Sequence, residues 1–280
     1  ECPTIFEIEV KKAVRTYKAI ETDGVTLYPI PVSRWDEFAL ARPALELMQQ
    51  TLPVKYLSMP LLSAYYAMDY EAVEAESLPT GLFGRSLLLL SLALRLGRDG
   101  EGAEQMAKHF RLRVDGNDPS KLVAVEFSQD GETMQSIAPV QFARLREIIA
   151  AQNGVELIGA DANPELVEAE RDIADQKSAK LSGDFGELFS TVAALGCEDE
   201  ESIMEWPIKK FMDRKDAYAR VLGYLVCGVS EASGAKWNGG NPCPSPFFSR
   251  LRQGSGSLIA LDRFAGGAGA KAVAEQQAQG

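Results

Sequence analysis

The chain contains one histidine, His109, which lies between Lys108 and Phe110 in a strand-like stretch. A single histidine can act as a general base, because its ordinary pKa lies close to neutral pH. A nucleophilic serine would be expected in a Gly-x-Ser-x-Gly turn, and the sequence does not contain this pattern. The surroundings of His109 therefore favour a structural or solvated residue over a catalytic one.

The cysteines are too few and too far apart to form a disulfide framework. None of them shows the Cys-x-x-Cys spacing, and a structural zinc site needs four clustered cysteine or histidine ligands. The sequence therefore predicts no metal site and favours free thiols in a reducing cytosol. The four residues concerned are Cys2, Cys197, Cys227 and Cys243.

Five acidic residues and no basic residue lie between Glu198 and Glu205. This cluster lacks the alternating acidic spacing and central glycine of a calcium loop, so we interpret it as the start of a helix. Gly254–Ser257 lacks the Lys-Ser/Thr of a phosphate-binding loop. We therefore predict no catalytic, cofactor-binding or metal-binding residue and expect a protein that is not an enzyme. A hydrolase using paired carboxylates remains open, because acidic residues are plentiful.

The composition, 46% hydrophobic and 25% charged residues in 280, is ordinary for a globular protein. A net charge of −11 argues against a nucleic-acid partner, which would need a basic surface. The most apolar run, Leu82–Leu96, is interrupted by Arg85 and Arg95 and is shorter than the roughly 20 residues of a membrane span. We expect no membrane association and no signal peptide in the opening ECPTIFEIEV. The natural N-terminus is left open.

Two regions show the period-2 alternation that is typical of strands. Thr4–Ile20 and Val25–Val32 are predicted to form a hairpin around the turn Thr22-Asp23-Gly24. Residues 109–138 are predicted to form two or three antiparallel strands. Whether the two regions join in one sheet is left open.

Helical spacing and capping signals cover most of the remaining chain. The predicted fold class is therefore α+β, predominantly helical with a small antiparallel sheet. Helices are predicted from Ser33 with a break near Pro43, from Pro60, over Thr80–Leu96, from Pro139 to Asn153-Gly154, over Pro164–Lys180, from the Asp184/Glu187 capping pair to Gly196, and from Pro207 to Val229.

The helix from Pro207 combines a basic first half with one continuous apolar face. The face consists of Ile208, Phe211, Met212, Tyr218, Leu222, Leu225, Val226 and Val229. After Ser233-Gly234 follows the segment AKWNGGNPCPSPFFSR, whose three closely spaced prolines favour an extended chain. Its Trp237, Phe247 and Phe248 either pack on their own domain or dock in a partner's groove, and both alternatives remain open.

Changes in composition predict four parts of the chain. They are an N-terminal α+β domain (1–155), an exposed helical connector (156–182), a C-terminal helical domain with the proline and aromatic segment (183–250), and a flexible Gly/Ala tail (251–280). Whether this tail is a frameshift extension or folds on binding is left open.

The C-terminal part of the chain contains a series of distinctive patterns: Trp206-Pro207, the charged and then apolar helix, SEASG (230–234), Lys236-Trp237 and GNPCPS (240–245). Together these patterns resemble proteins encoded in the tail modules of tailed phages and prophages. LYPIPV (27–32), followed by Trp35–Phe38, is similar to the same group. The resemblance spans most of residues 5–250 and contains no catalytic motif. The ending Ser-Pro-Phe-Phe and the Gly/Ala tail depart from the aromatic-acidic close of that pattern.

Proteins of this group are encoded near the tape-measure gene, and some resemble tail-assembly chaperones. The resemblance implies a chaperone in the bacterial host cytoplasm that keeps the tape-measure protein soluble. The implied partners are the tape-measure or tail tube protein, and a homo-oligomer is an open possibility. A structural tail, baseplate or neck subunit of the virion is the alternative. The expected partner-binding residues are Trp206, Phe211, Trp237, Phe247 and Phe248.

Overall fold

The computed structural model describes residues 5–97, 108–129, 131–158, 169, 184–237 and 241–247. Among these residues the helices are α1 (Ile5–Arg15), α2 (Trp35–Glu46), α3 (Leu61–Glu74), α4 (Leu82–Leu94), α5 (Phe142–Asn153), α6 (Phe185–Gly196), α7 (Glu200–Met204) and α8 (Ile208–Ala232). The strands are β1 (Ile20–Thr22), β2 (Val25–Leu27), β3 (Arg111–Val114), β4 (Leu122–Phe127) and β5 (Gln135–Ile137).

This architecture confirms the predicted fold class, α+β and predominantly helical. The strands form two separate antiparallel sheets, β1-β2 and β3-β4-β5. The hairpin turn lies at Asp23 and Gly24, whose positive φ angles of 51° and 77° explain why the Asp-Gly pair is needed there. The strands expected within residues 109–138 are confirmed. They form a sheet of their own and do not join the N-terminal hairpin.

Two predictions about the N-terminal region are wrong. The segment predicted as a strand over Thr4–Ile20 forms α1 instead, because Val10, Ala13 and Val14 also match a helical period and pack against the core. The break expected near Pro43 is absent, since α2 runs through this residue to Glu46. A proline within a helix removes one N–H donor but does not always end the helix.

The core of the protein lies around α4, which is buried along nearly its whole length. Asp69 of α3 caps the start of α4: its Oδ1 accepts from the Gly81 N–H at 3.0 Å and its Oδ2 from the Phe83 N–H at 3.1 Å. Arg146 of α5 fulfils a similar role at the C-terminal end of α2, where its guanidinium donates to the Leu47 carbonyl at 2.7 Å. The first turn of one helix and the last turn of another are thus satisfied by neighbouring elements.

Residue contacts divide the chain into two compact units, Glu1–Pro164 with Leu181–Asp216, and Glu165–Lys180 with Ala217–Gly280. The first nine residues of α8 belong to the first unit, and its remaining residues belong to the second. The helix predicted over Pro164–Lys180 and the Gly/Ala tail lie outside the described residues, apart from Ala169. No described helix is both long and apolar enough to cross a lipid bilayer.

Candidate partner-binding surface

The start of α8 is fixed within the first unit by a short antiparallel bridge between Pro31 and Pro207. The Val32 N–H donates to the Trp206 carbonyl, and the Ile208 N–H donates to the Ile30 carbonyl, each at 2.8 Å. Residues 27–32 and the pair Trp206-Pro207, which are far apart in the sequence, therefore meet in the fold. The bridge determines where the first turn of α8 begins.

The apolar face of α8 is buried in the first unit. Ile208 is 2% exposed and Phe211 is fully buried. The Phe211 ring lies 5.7 Å from that of Phe185 and 6.2 Å from that of Phe189, and Phe185 also stacks on Trp35 at 4.5 Å. This aromatic cluster ties α6, α2 and α8 together by burial and ring contacts.

The opposite, polar side of this first half is held by Asp213. Its Oδ2 accepts from Lys209 Nζ at 2.7 Å and from the Tyr17 hydroxyl at 2.9 Å. Burial and the hydrogen bond to Asp213 both raise the pKa of Tyr17, burial being the larger cause. The first half of α8 is thus anchored on both of its sides.

In the second unit the same helix exposes its apolar side chains. Leu222, Leu225, Val226 and Val229 are between 45% and 68% exposed, and together they form what we call the exposed apolar face. At 100° per residue these positions continue the side of the helix on which Ile208 and Phe211 lie. Large apolar residues grouped on one exposed helix side are typical of a binding surface.

The segment Asn241–Phe247 lies on the other side of this part of α8. Arg220 Nε donates to the Pro246 carbonyl at 3.3 Å, and the Cys243 sulfur approaches the backbone at Gly223. Arg220 lies on the side of the helix opposite to the exposed apolar face, whereas Gly223 lies between that side and Val226, from which it is separated by about 60° around the helix axis. The proline-rich segment leaves that face open, since the four side chains of the face remain between 45% and 68% exposed.

The five residues predicted to bind a partner have different environments in the structure. Trp206 is 7% exposed, with Lys210 Nζ 3.8 Å from the centre of its ring, and Phe211 is fully buried. Trp237 is 37% exposed and Phe247 is 77% exposed. Phe248 lies outside the described residues. Only Trp237 and Phe247 of the four described residues therefore offer substantial ring surface to a partner.

Periodicity in the sequence places the residues of the exposed apolar face on one side of a helix, but it does not identify them as contact residues. The signal in the sequence is the length of that face, which extends over 208–229 and exceeds what a single packing partner of a helix needs. Sequence periodicity identifies the face, whereas only the structure separates its buried part from its exposed part.

Two carboxylates of the described chain accept hydrogen bonds that lower their pKa. The pKa of Glu71 is lowered by hydrogen bonds from Lys55 and Tyr56, and the pKa of Asp118 is lowered by hydrogen bonds from Ser120 and Lys121. A general acid of a glycosidase-type pair needs a raised pKa instead. Within the described residues no three His, Cys, Asp or Glu side chains are grouped to hold a metal ion.

A cavity of about 280 Å³ lies beside the Pro31–Pro207 bridge and is lined by Arg34 and Arg95, among other residues. Arg34 forms an ion pair with Glu37, and the Arg95 guanidinium lies 4.4 Å from the centre of the Tyr28 ring. Because both cations already have partners, we assign no ligand to this cavity.

Comparison of the chain with protein-family models, with curated proteins and with solved structures finds no match.

Proposed function

We propose that this chain is a non-enzymatic tail-assembly chaperone that acts in the bacterial host cytoplasm and covers apolar helix faces of a phage tape-measure protein. The observation that carries the proposal is the exposed apolar face of α8, Leu222, Leu225, Val226 and Val229. The resemblance of the sequence to phage tail-module proteins supplies the identity of the partner.

The chemistry of this face specifies the partner. Four aliphatic side chains at three- and four-residue spacing complement another helix that carries an apolar stripe, as in helix-in-groove recognition. A tape-measure protein is a long helical chain that must stay soluble until tube subunits enclose it, so it offers such stripes. The net charge of −11 keeps the chaperone itself from associating non-specifically.

Trp237 and Phe247 form a second part of the proposed contact, because both rings are exposed. A stable interface buries about 800 Å² on each partner, which is more than four aliphatic side chains supply. Truncation of an aromatic anchor at the centre of an interface typically costs about 2 kcal/mol or more of binding free energy. We therefore expect Trp237→Ala and Phe247→Ala each to weaken binding about thirtyfold or more while the fold is retained.

Coexpression with the tape-measure protein encoded in the same tail module tests the proposal. We expect the soluble fraction of the tape measure to rise and the two proteins to co-purify. A tape measure that is equally soluble alone and never co-purifies with this chain contradicts the proposal. Mass spectrometry of purified virions separates the alternative, because a chaperone is absent from mature particles and a structural subunit is present in many copies.

A further inference from the structure

Cys243 lies directly against helix α8 in the second unit. Its sulfur is 2.9 Å, and its Cβ 3.8 Å, from the position that a Cβ atom on Gly223 would occupy. A distance of 2.9 Å is shorter than real Cβ contacts, so the glycine is what allows the sulfur to approach the helix backbone. The close approach is therefore built into the sequence at residue 223.

Cys227 lies one helical turn after Gly223 and is therefore on the same side of α8. It is buried and is a free thiol, and the neighbouring Cys243 contributes to a raised pKa of this thiol. Cys243 is half-buried and is also a free thiol. The structure thus brings together two thiols that are sixteen positions apart in the chain.

The chain around Cys243 is pre-ordered. Pro242 and Pro244 flank the cysteine and restrict the backbone on both sides of it to extended conformations. The Cys243 N–H donates to Asn241 Oδ1 at 2.8 Å, and Arg220 holds the Pro246 carbonyl. These restraints keep the sulfur against the helix rather than letting it sample many positions.

We propose that Cys227 and Cys243 form a reversible disulfide that fastens the segment Asn241–Phe247 to helix α8 under oxidising conditions. The proposal does not rest on the proposed function, because it is argued only from the two thiols and from the contacts that hold Cys243 against the helix. Cys197 is exposed and belongs to the first unit, so the reaction we propose does not involve it.

The reaction needs a disulfide oxidant, for which oxidised glutathione serves. The Cys243 thiolate attacks one glutathione sulfur, the glutathione S–S bond breaks, and one glutathione leaves as a thiolate that takes up a proton. The Cys227 thiolate then attacks the Cys243 sulfur and displaces the second glutathione. Two cysteine thiols are oxidised, and one glutathione disulfide is reduced to two thiols.

The order of attack follows from the environments of the two thiols. Burial raises the pKa of the Cys227 thiol, and its interaction with Cys243 raises this pKa further. Cys227 is therefore the less reactive group toward a reagent in solution, whereas the half-buried Cys243 is the more accessible one. Cys227 acts in the second, intramolecular step, in which proximity favours it.

The test is to oxidise the full folded chain with oxidised glutathione, alkylate the remaining thiols and map the tryptic peptides. We expect a linked pair of peptides, 221–236 and 237–250, to dominate, with two of the four cysteines still alkylated. The same treatment in urea should give a mixture of pairings. If the folded chain gives that same mixture, or no 227–243 linkage, the proposal is wrong.

Two glycine variants of α8 provide a matched comparison. Gly223→Ala places a Cβ against the Cys243 sulfur, whereas Gly228→Ala places one in open space, and both substitutions favour the helix. We expect Gly223→Ala to slow formation of the disulfide about tenfold or more and Gly228→Ala to leave it unchanged. Equal rates in the two variants would contradict the close approach on which the proposal depends. Cys197→Ser should leave the rate of disulfide formation unchanged. A slower rate would mean that Cys197 takes part in the reaction, which would contradict the proposal.

Discussion

Along helix α8, apolar residues at three- and four-residue spacing are buried near the N-terminal end and exposed near the C-terminal end. Phe211 is fully buried in an aromatic cluster, whereas Val229 on the same side of the helix is 68% exposed. Both side chains are apolar, so the difference in their exposure depends on which neighbouring residues cover them. A continuous apolar face in a sequence therefore combines two roles here, core packing in the first unit and, as we propose, partner binding in the second.

The largest expected effect of this difference between the two halves of α8 is on the stability of variants. Phe211→Ala leaves a cavity among Phe185, Phe189 and the core, so we expect the free energy of unfolding to fall by about 3–5 kcal/mol. Leu225→Ala, on the exposed half, should change it by no more than about 0.5 kcal/mol. Urea unfolding of both full-length variants measures the difference. Similar losses would mean that the exposed half is a core element as well.

The stability of the core that covers the N-terminal half of α8 is expected to depend on pH. Burial raises the pKa of Tyr65 from 10.0 to about 12. Between these values the unfolded chain loses the phenol proton while the folded chain retains it, so stability decreases as the pH rises. The loss reaches about 2–3 kcal/mol by about pH 12 and is absent below about pH 10.

Tyr65→Phe provides the control for this dependence, because it keeps the ring and removes the ionisable group. Urea unfolding of wild type and variant should show a smaller loss of stability in the variant at alkaline pH. Parallel curves for the two proteins would contradict the raised pKa of Tyr65. Taking the difference between them also removes the contribution of Tyr17, whose pKa is raised by burial.

A smaller effect is expected on the polar side of the buried half. Asp213→Ala removes the acceptor of both Tyr17 and Lys209, so we expect a loss of about 1 kcal/mol in the free energy of unfolding. Glu231→Ala, at an exposed position on the other half, should change it by less than about 0.5 kcal/mol. Thermal unfolding in low salt compares the two, and a larger loss for Glu231→Ala would reverse the comparison.

The sequence was sufficient to predict elements whose signals are local. The helix predicted over 207–229 is Ile208–Ala232, and the one predicted over 80–96 is Leu82–Leu94. The stop at Asn153-Gly154 is confirmed by the left-handed backbone of Gly154, with φ 72°. Asp184 accepts from the Glu187 N–H at 2.8 Å, as the capping pair predicted.

What the sequence could not supply depends on contacts between distant residues. The first apolar residues of α1 fit a strand and a helix equally well, and packing of Val10 and Val14 on the core decides for the helix. The cap that Asp69 provides for α4 comes from a different helix and has no signature near residue 82. Burial of Trp206 and Phe211 likewise depends on elements far away in the chain, so aromatic residues alone did not indicate which rings are accessible.

The central claim is tested most directly by a matched pair of valines. Val226 on the exposed apolar face is 63% exposed, and Val73 near the end of α3 is 62% exposed. Because both lie on helices and are equally accessible, lysine at either position should leave the fold intact. We expect Val226→Lys to abolish co-purification with the tape-measure protein, and Val73→Lys to leave it unchanged. Equal retention of the tape measure by the two variants, or a loss of binding in Val73→Lys alone, would contradict the account.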